Sequence, residues 1–200
     1  MVDAARRHVG ILLFDGVEEL DCVGPYEVLA AWASHFPDDG WSVSTMSRAG
    51  TAVTCAKGMR VLPHHAVADA PALEVLIHPG GRGTRALVAD PAHLDWVRAQ
   101  RAQVPLVASV CTGSLVLAAA GVLAGRAATT HWASLDALSE LDPTIDVRRE
   151  VRFVDDGDVV TSAGVSAGID MSLHLVARLA SASTAATVRR RLEYDPAPTV

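Results

Sequence analysis

The chain has 200 residues, half of them hydrophobic and a fifth charged, which is enough apolar material for one sizeable core and too much for a disordered chain. Lys and Arg number 17 against 23 Asp and Glu, a net charge of −6 that sets aside nucleic acid as a partner, since a phosphate backbone needs a positive face. No apolar stretch reaches the ~20 residues of a membrane span, the N-terminus lacks the apolar segment of a secretion signal, and three cysteines at 22, 55 and 111 make neither a disulfide framework nor a zinc site; the expectation is one soluble cytoplasmic domain over residues 1–200, with no metal.

His8 to Phe14 is an apolar run of strand length, stopped by Asp15-Gly16. Pro25 suits the start of a helix whose inner stripe holds Val28, Leu29 and Trp32. Trp41 to Met46 alternates as a strand, and Ala49 to Pro63 reads as a hairpin with Gly50 and Gly58 as punctuation. His64 and His65 read as surface or turn. Glu74 to His78 is a short buried strand running into Pro79-Gly80-Gly81.

Asp90 caps a helix that Pro91 opens and that runs to about Gln103. Pro105 to Val110 is a fully apolar strand, followed at once by Cys111-Thr112-Gly113 and a long apolar helix to about Leu123. Arg126 to Thr130 is predicted as a strand and Ser134 to Leu141 as a short helix. Val147 to Val154 and Val159 to Thr161 flank the turn at Asp155-Asp156-Gly157-Asp158, and a final helix runs from Ala167 to Ala180.

Near-continuous apolar strands alternating with helices imply a mostly parallel sheet covered on both faces. Such sheets bind ligands at the carboxyl ends of their strands. Three unusual segments fall there: Val17 to Asp21, His78 to Gly81, and Ser109 to Ser114.

A lone cysteine in an apolar protein is usually a small hydrophobe, and Cys22 and Cys55 read that way. Cys111 differs, because it ends a strand and precedes a helix. A strand–nucleophile–helix elbow places the sulfur at a helix N-terminus, where the thiol pKa is expected to fall from ~8.5 into the range of about 3.5 to 7.5. Gly80 and Gly81 allow backbone N–H groups to point into a site, and with the Thr112 N–H they are expected to form an anion-binding hole. Asp21 alone reads as a helix cap. Between Leu20 and Cys22 it is instead a partly desolvated acid with a raised pKa, suited to general acid/base work beside a thiolate. Three roles stay open to His131: base for Cys111, substrate contact, or structural donor. Asp170 reads as an acid in the first turn of the last helix.

The stretches FDGVEELDCVGPYEVL (residues 14–29), IHPGGRGT (77–84), SVCTGSLVLAAAGVLAGRAATTHW (109–132) and RRLEYDPAP (190–198) together resemble the ThiJ/PfpI superfamily over nearly the whole chain, with the isocyanide hydratase branch most similar. The resemblance implies a flavodoxin-like three-layer α/β/α sandwich with a nucleophile elbow, of the class I glutamine amidotransferase kind, and a homodimer. It implies Cys111 as nucleophile, Asp21 as its acid/base partner, Thr112 as a supporting neighbour, and no cofactor. The implied reaction adds water to a small-molecule isocyanide through a covalent thioimidate on sulfur, giving an N-substituted formamide. The alternatives are a glyoxalase or deglycase acting on α-oxoaldehydes, and a non-enzymatic cysteine redox sensor. Protease-like relatives carry His where Thr112 stands, and deglycases usually carry Glu where Asp21 stands. Regulators of the same superfamily append a helix-turn-helix domain, for which the chain, ending at Val200, is expected to have no room.

Overall fold

A computed structural model of the chain describes residues 7–195. In chain order, β1 (Arg7–Leu13) leads to α1 (Glu19–His35), β2 (Trp41–Ser47), the short pair β3 (Val53–Thr54) and β4 (Arg60–Val61), β5 (His65–Ala66) and β6 (Val75–His78). Then come α2 (Thr84–Leu87), α3 (Pro91–Gln103), β7 (Leu106–Val110) and α4 (Gly113–Ala119). The remainder is β8 (Ala127–Ala128), α5 (Leu135–Leu141), β9 (Asp146–Val147), β10 (Phe153–Asp155), β11 (Val159–Ser162), α6 (Ala167–Leu179) and α7 (Ala182–Arg191).

Seven strands form one sheet in the order β10-β11-β7-β6-β1-β2-β5. Every neighbouring pair is parallel except β10 and β11. The central strands β2-β1-β6-β7-β11 have the doubly wound, flavodoxin-like order, whose switch point lies between β1 and β6. The inner strands β6 (VLIH) and β7 (LVASV) are buried along their whole length and almost wholly apolar because both faces are covered. Ile11, Ile77 and Ala108 pack with Leu29 and Trp32 of α1, Met171 and Leu175 of α6 and Val188 of α7. One residue along each strand, Leu12, Leu76 and Val107 pack on the other face with Val97 of α3, Leu117 of α4 and Leu138 of α5. Each fully buried Leu, Ile or Val contributes about 1.5–3 kcal/mol to this three-layer arrangement.

Several boundaries differ from the sequence expectation. Helix α1 begins at Glu19 rather than near Pro25, because a tertiary bond from the Glu18 N–H to the Gly80 carbonyl anchors its entry and a local one from the Asp21 N–H to the Glu18 carbonyl closes its first turn. Pro25 lies inside the helix, where it withholds the N–H that Asp21's carbonyl would otherwise accept. The helix expected to reach Leu123 stops at Ala119, where Gly121, at φ 78°, turns the chain out of helical geometry. The strand expected over Arg126 to Thr130 shrinks to β8, which pairs with β9 outside the main sheet. The stretch from Val147 to Val154 divides between β9 and β10.

His64 is an exposed bend residue, as expected, with its Nδ1 accepting the Thr45 N–H at 3.1 Å, whereas His65 belongs to edge strand β5. Helix α7 had no expectation at all. It buries only Ala185 and Val188, too thin a stripe to stand out in the sequence.

Candidate active site

Three strand ends meet at the carboxyl edge of β1, β6 and β7. Asp21 comes from the first turn of α1, Gly80 from the loop after β6, and Cys111 from the junction of β7 and α4. Asp21 is wholly buried and Cys111 is 6% exposed.

The elbow is visible in the backbone. Cys111 has φ 55°, the left-handed region that L residues avoid. Such a conformation costs roughly 1–3 kcal/mol and persists only where the surroundings fix it. Here they do so from both sides. The Cys111 N–H lies 3.1 Å from the Ser162 carbonyl and 3.2 Å from that of Ala163. The Cys111 carbonyl accepts from Ser114 Oγ at 3.1 Å and Thr130 Oγ1 at 2.9 Å. Gly113 lets α4 press against β6, for a Cβ there would lie 2.1 Å from the His78 carbonyl oxygen.

Gly80 and Gly81 do not supply the expected anion-binding hole. The Gly80 N–H donates to Asp21 Oδ2 at 3.0 Å, and the Gly81 N–H to Thr112 Oγ1 at 3.0 Å. Both donors are already used, one to hold the acid and one to hold the neighbour of the sulfur. Gly80 itself is required by space, since a Cβ would meet the Thr112 nitrogen at 2.5 Å and Asp21 Oδ2 at 2.9 Å. The N–H groups that face the Cys111 sulfur and favour its thiolate are those of Thr112 and Val165.

Electrostatics overturn one expectation. Burial, then the facing Asp21 carboxylate, push the Cys111 thiol up to about 12, and the two N–H groups only partly offset them. The short helix α4 does not make a resting thiolate. Burial also pushes Asp21 up to about 7; the Gly80 N–H opposes this and the Glu18 charge adds to it. Thiol and carboxyl perturb one another, while by hydrogen-bond geometry Asp21 Oδ1 is buried with no partner. The site therefore rests as a thiol beside an acid that is half ionised near neutrality, with one carboxyl oxygen free to take the thiol's proton.

His131 makes no hydrogen bond to the sulfur among the described residues. Its Nδ1 accepts the Ala133 N–H at 3.2 Å, capping a short 3-10 turn, and its ring packs where a Cβ on Gly164 would stand. Its neighbour Trp132 is 78% exposed. Cys22 and Cys55 are buried, and Cys22 Sγ donates to the Glu19 carbonyl at 3.1 Å. Asp170 accepts from Arg152 Nε at 2.7 Å and from the Tyr194 hydroxyl at 3.1 Å. Tyr194 is thus the part of the closing motif that meets α6; Pro196 to Pro198 lie outside the described residues.

Val165 has no counterpart in the sequence reading. It is β-branched at φ 49°, an outlier, and only the backbone reveals that its N–H faces the nucleophile.

Among the described residues no three of His, Cys, Asp and Glu are grouped to hold a metal ion, and no helix is long and apolar enough to cross a membrane. A groove of about 620 Å³ is lined by Phe14, Val53, His93 and Trp96 among others, with neither Cys111 nor Asp21 in its wall.

Comparison with known proteins bears on the family and the fold. The model of the DJ-1/PfpI family matches residues 7–178. An isonitrile hydratase of Pseudomonas putida is 44% identical over 190 residues, covering 95% of this chain and 79% of the relative. The HTH-type transcriptional regulator GbdR of Pseudomonas aeruginosa is 29% identical over 189 residues; the match takes in 94% of this chain and about half (51%) of the regulator. Among solved structures, a ThiJ/PfpI family protein from Pseudomonas syringae superposes with a TM-score of 0.87 at 32% identity, covering 98% of this chain and 78% of that one.

Proposed function

The chain belongs to the DJ-1/PfpI family, and from that premise we propose that it is an isocyanide hydratase working through a covalent intermediate on Cys111. The observation that carries the reading is the buried pair itself: a thiol on a strained elbow facing a carboxyl whose free oxygen is poised to accept its proton. The likeness to the Pseudomonas putida isonitrile hydratase supports the choice of substrate.

The Asp21 carboxylate takes the proton from Sγ as sulfur bonds the terminal carbon of R–N≡C. That carbon's electron pair then takes the proton from Asp21, giving Cys111–S–CH=N–R. Across the step the S–H bond and one C–N π bond break, while a C–S and a C–H bond form. Water adds to the C=N bond with Asp21 as base, and the proton passes to nitrogen. The tetrahedral species collapses by breaking C–S; sulfur recovers a proton, and HC(=O)–NH–R leaves. One difficult hydration becomes two easier steps. In this scheme the Thr112 and Val165 N–H groups stabilise the charge that develops on sulfur.

A thiol held up near 12 and almost fully buried is poorly suited to act as a redox sensor, because oxidation follows thiolate character and exposure. A second copy of the chain is the partner this reading adopts, with Val23, Met59 and Leu62 offering exposed apolar surface and the cytoplasm as its compartment. The decisive assay is formamide production from simple alkyl and aryl isocyanides by the native chain and by Cys111→Ala. Turnover confined to the native chain is the expected result; none from the native chain, or equal turnover from both, overturns the proposal.

A further inference from the structure

The Asp21 carboxyl is held by one backbone N–H, that of Gly80, and a pair of histidines holds the Pro79–Gly80 peptide in turn. His78, the last residue of β6, is wholly buried, and its Nδ1 lies 2.8 Å from the Pro79 carbonyl oxygen. A carbonyl only accepts, so Nδ1 carries the ring proton. Burial, then the neighbouring His93, push His78 down to about 3, which leaves the ring neutral and its Nε2 bare. His93 Nε2 lies 3.0 Å away and is therefore the donor, so both tautomers are fixed. The two rings meet edge to face at 5.3 Å, with Phe14 beside His78 and Trp96 beside His93, each at 5.6 Å. The hydrogen bonds run from His93 to His78, from His78 to the Pro79 carbonyl, and from the far side of that peptide to Asp21 Oδ2.

We propose that His78 and His93 are positioning residues that fix the plane of the Pro79–Gly80 peptide, keep its N–H on Asp21, and so set how readily Asp21 exchanges a proton with Cys111. The proposal rests on reading Asp21 and Cys111 as the reacting pair, but not on the identity of the substrate. Once the peptide is free to turn, the carboxylate loses a donor that favours its charged form, and Asp21 keeps its proton to higher pH. The other groups acting on Asp21 are Glu18, which opposes ionisation, Lys57, which favours it, and the thiols of Cys111 and Cys22. Changes at positions 78 and 93 replace none of them.

The test is the rate of Cys111 alkylation by iodoacetamide against pH on the full chain, with the labelled peptide identified by mass spectrometry. In His78→Asn the amide nitrogen takes the place of Nδ1 and the bond to Pro79 survives while that from His93 is lost, so the inflection is expected to move no further than in His93→Leu. In His78→Gln the amide oxygen takes the place of Nε2 and accepts from His93, the Pro79 bond is lost, and the inflection moves up by about one pH unit, a tenfold change in Asp21 acidity. His93→Leu is expected to move it the same way by less, and His93→Gln, which returns an N–H, to restore it. Equal profiles for the two His78 variants, or an unmoved profile in His93→Leu, overturn the proposal. If the His78 variants do not fold, the partly buried His93 pair decides alone. Alkylation needs no isocyanide, so a chain that hydrates none still returns an answer.

Discussion

Asp21→Asn is expected to stabilise the protein while disabling it. The folded state holds Asp21 at about 7 against an ordinary 3.8, so between those values the folded chain binds more protons than the unfolded one. Stability attributable to this group is therefore full below the unfolded pKa and falls as pH rises toward the folded one. About three pKa units correspond to roughly 4 kcal/mol, the cost of keeping a buried carboxylate ionised above neutrality. Asparagine has nearly the same shape, keeps an oxygen for the Gly80 N–H, and carries no charge to bury. At pH 8 the variant should melt about 10 °C higher than the native chain, and near pH 3 the two should melt together. Turnover of isocyanide should fall by about 10²–10⁴, the usual contribution of a general acid/base. Thermal melts across pH with parallel formamide assays decide the matter. A pH-independent difference in melting temperature, or a destabilised variant, would show that Asp21 is not a strained acid, and retained turnover would remove it from the chemistry.

Other expectations follow from the same geometry. The native kcat/KM should rise with pH through an inflection near the 7 of Asp21, because the carboxylate is the form that accepts the thiol proton; a flat pH–rate profile from 5 to 9 counts against that step. Gly113→Ala forces a Cβ to 2.1 Å from the His78 carbonyl and should cost at least about 1–3 kcal/mol in urea unfolding, as overpacking does, with activity lost as the elbow shifts. Thr130→Val withdraws one of the two hydroxyl donors on the Cys111 carbonyl; denaturation should register about 1–3 kcal/mol for the weakened buried acceptor, and Thr130→Ser should recover most of it.

The sequence by itself determined the layers and the meeting place. Apolar runs of strand length such as residues 8–14 and 105–110, bounded by turn residues, read as strands covered on both faces, and residues following such strands lie at the ligand-binding edge of the sheet. By that logic Asp21, Gly80 and Cys111 belong at one edge of the sheet, and the structure has them there. Local patterns also fixed the α3 cap, where Asp90 accepts from Ala92 and His93, because a cap depends on a few adjacent residues.

What depends on distant contacts was out of reach. The start of α1 is set by Gly80, more than sixty positions away, whose carbonyl takes the Glu18 N–H. The partners of Gly80 and Gly81 depend on which acceptors the fold brings near, and it brings Asp21 and Thr112. The protonation of Cys111 was decided the same way. A helix end argues for a thiolate, but the depth of burial and the carboxylate opposite are tertiary quantities, and they outweigh two N–H groups. Val165 and His93 reach the site only through positions that folding gives them, one by a strained backbone and the other by a bond to His78. Residue type names the chemistry available; the surroundings decide which proton sits where.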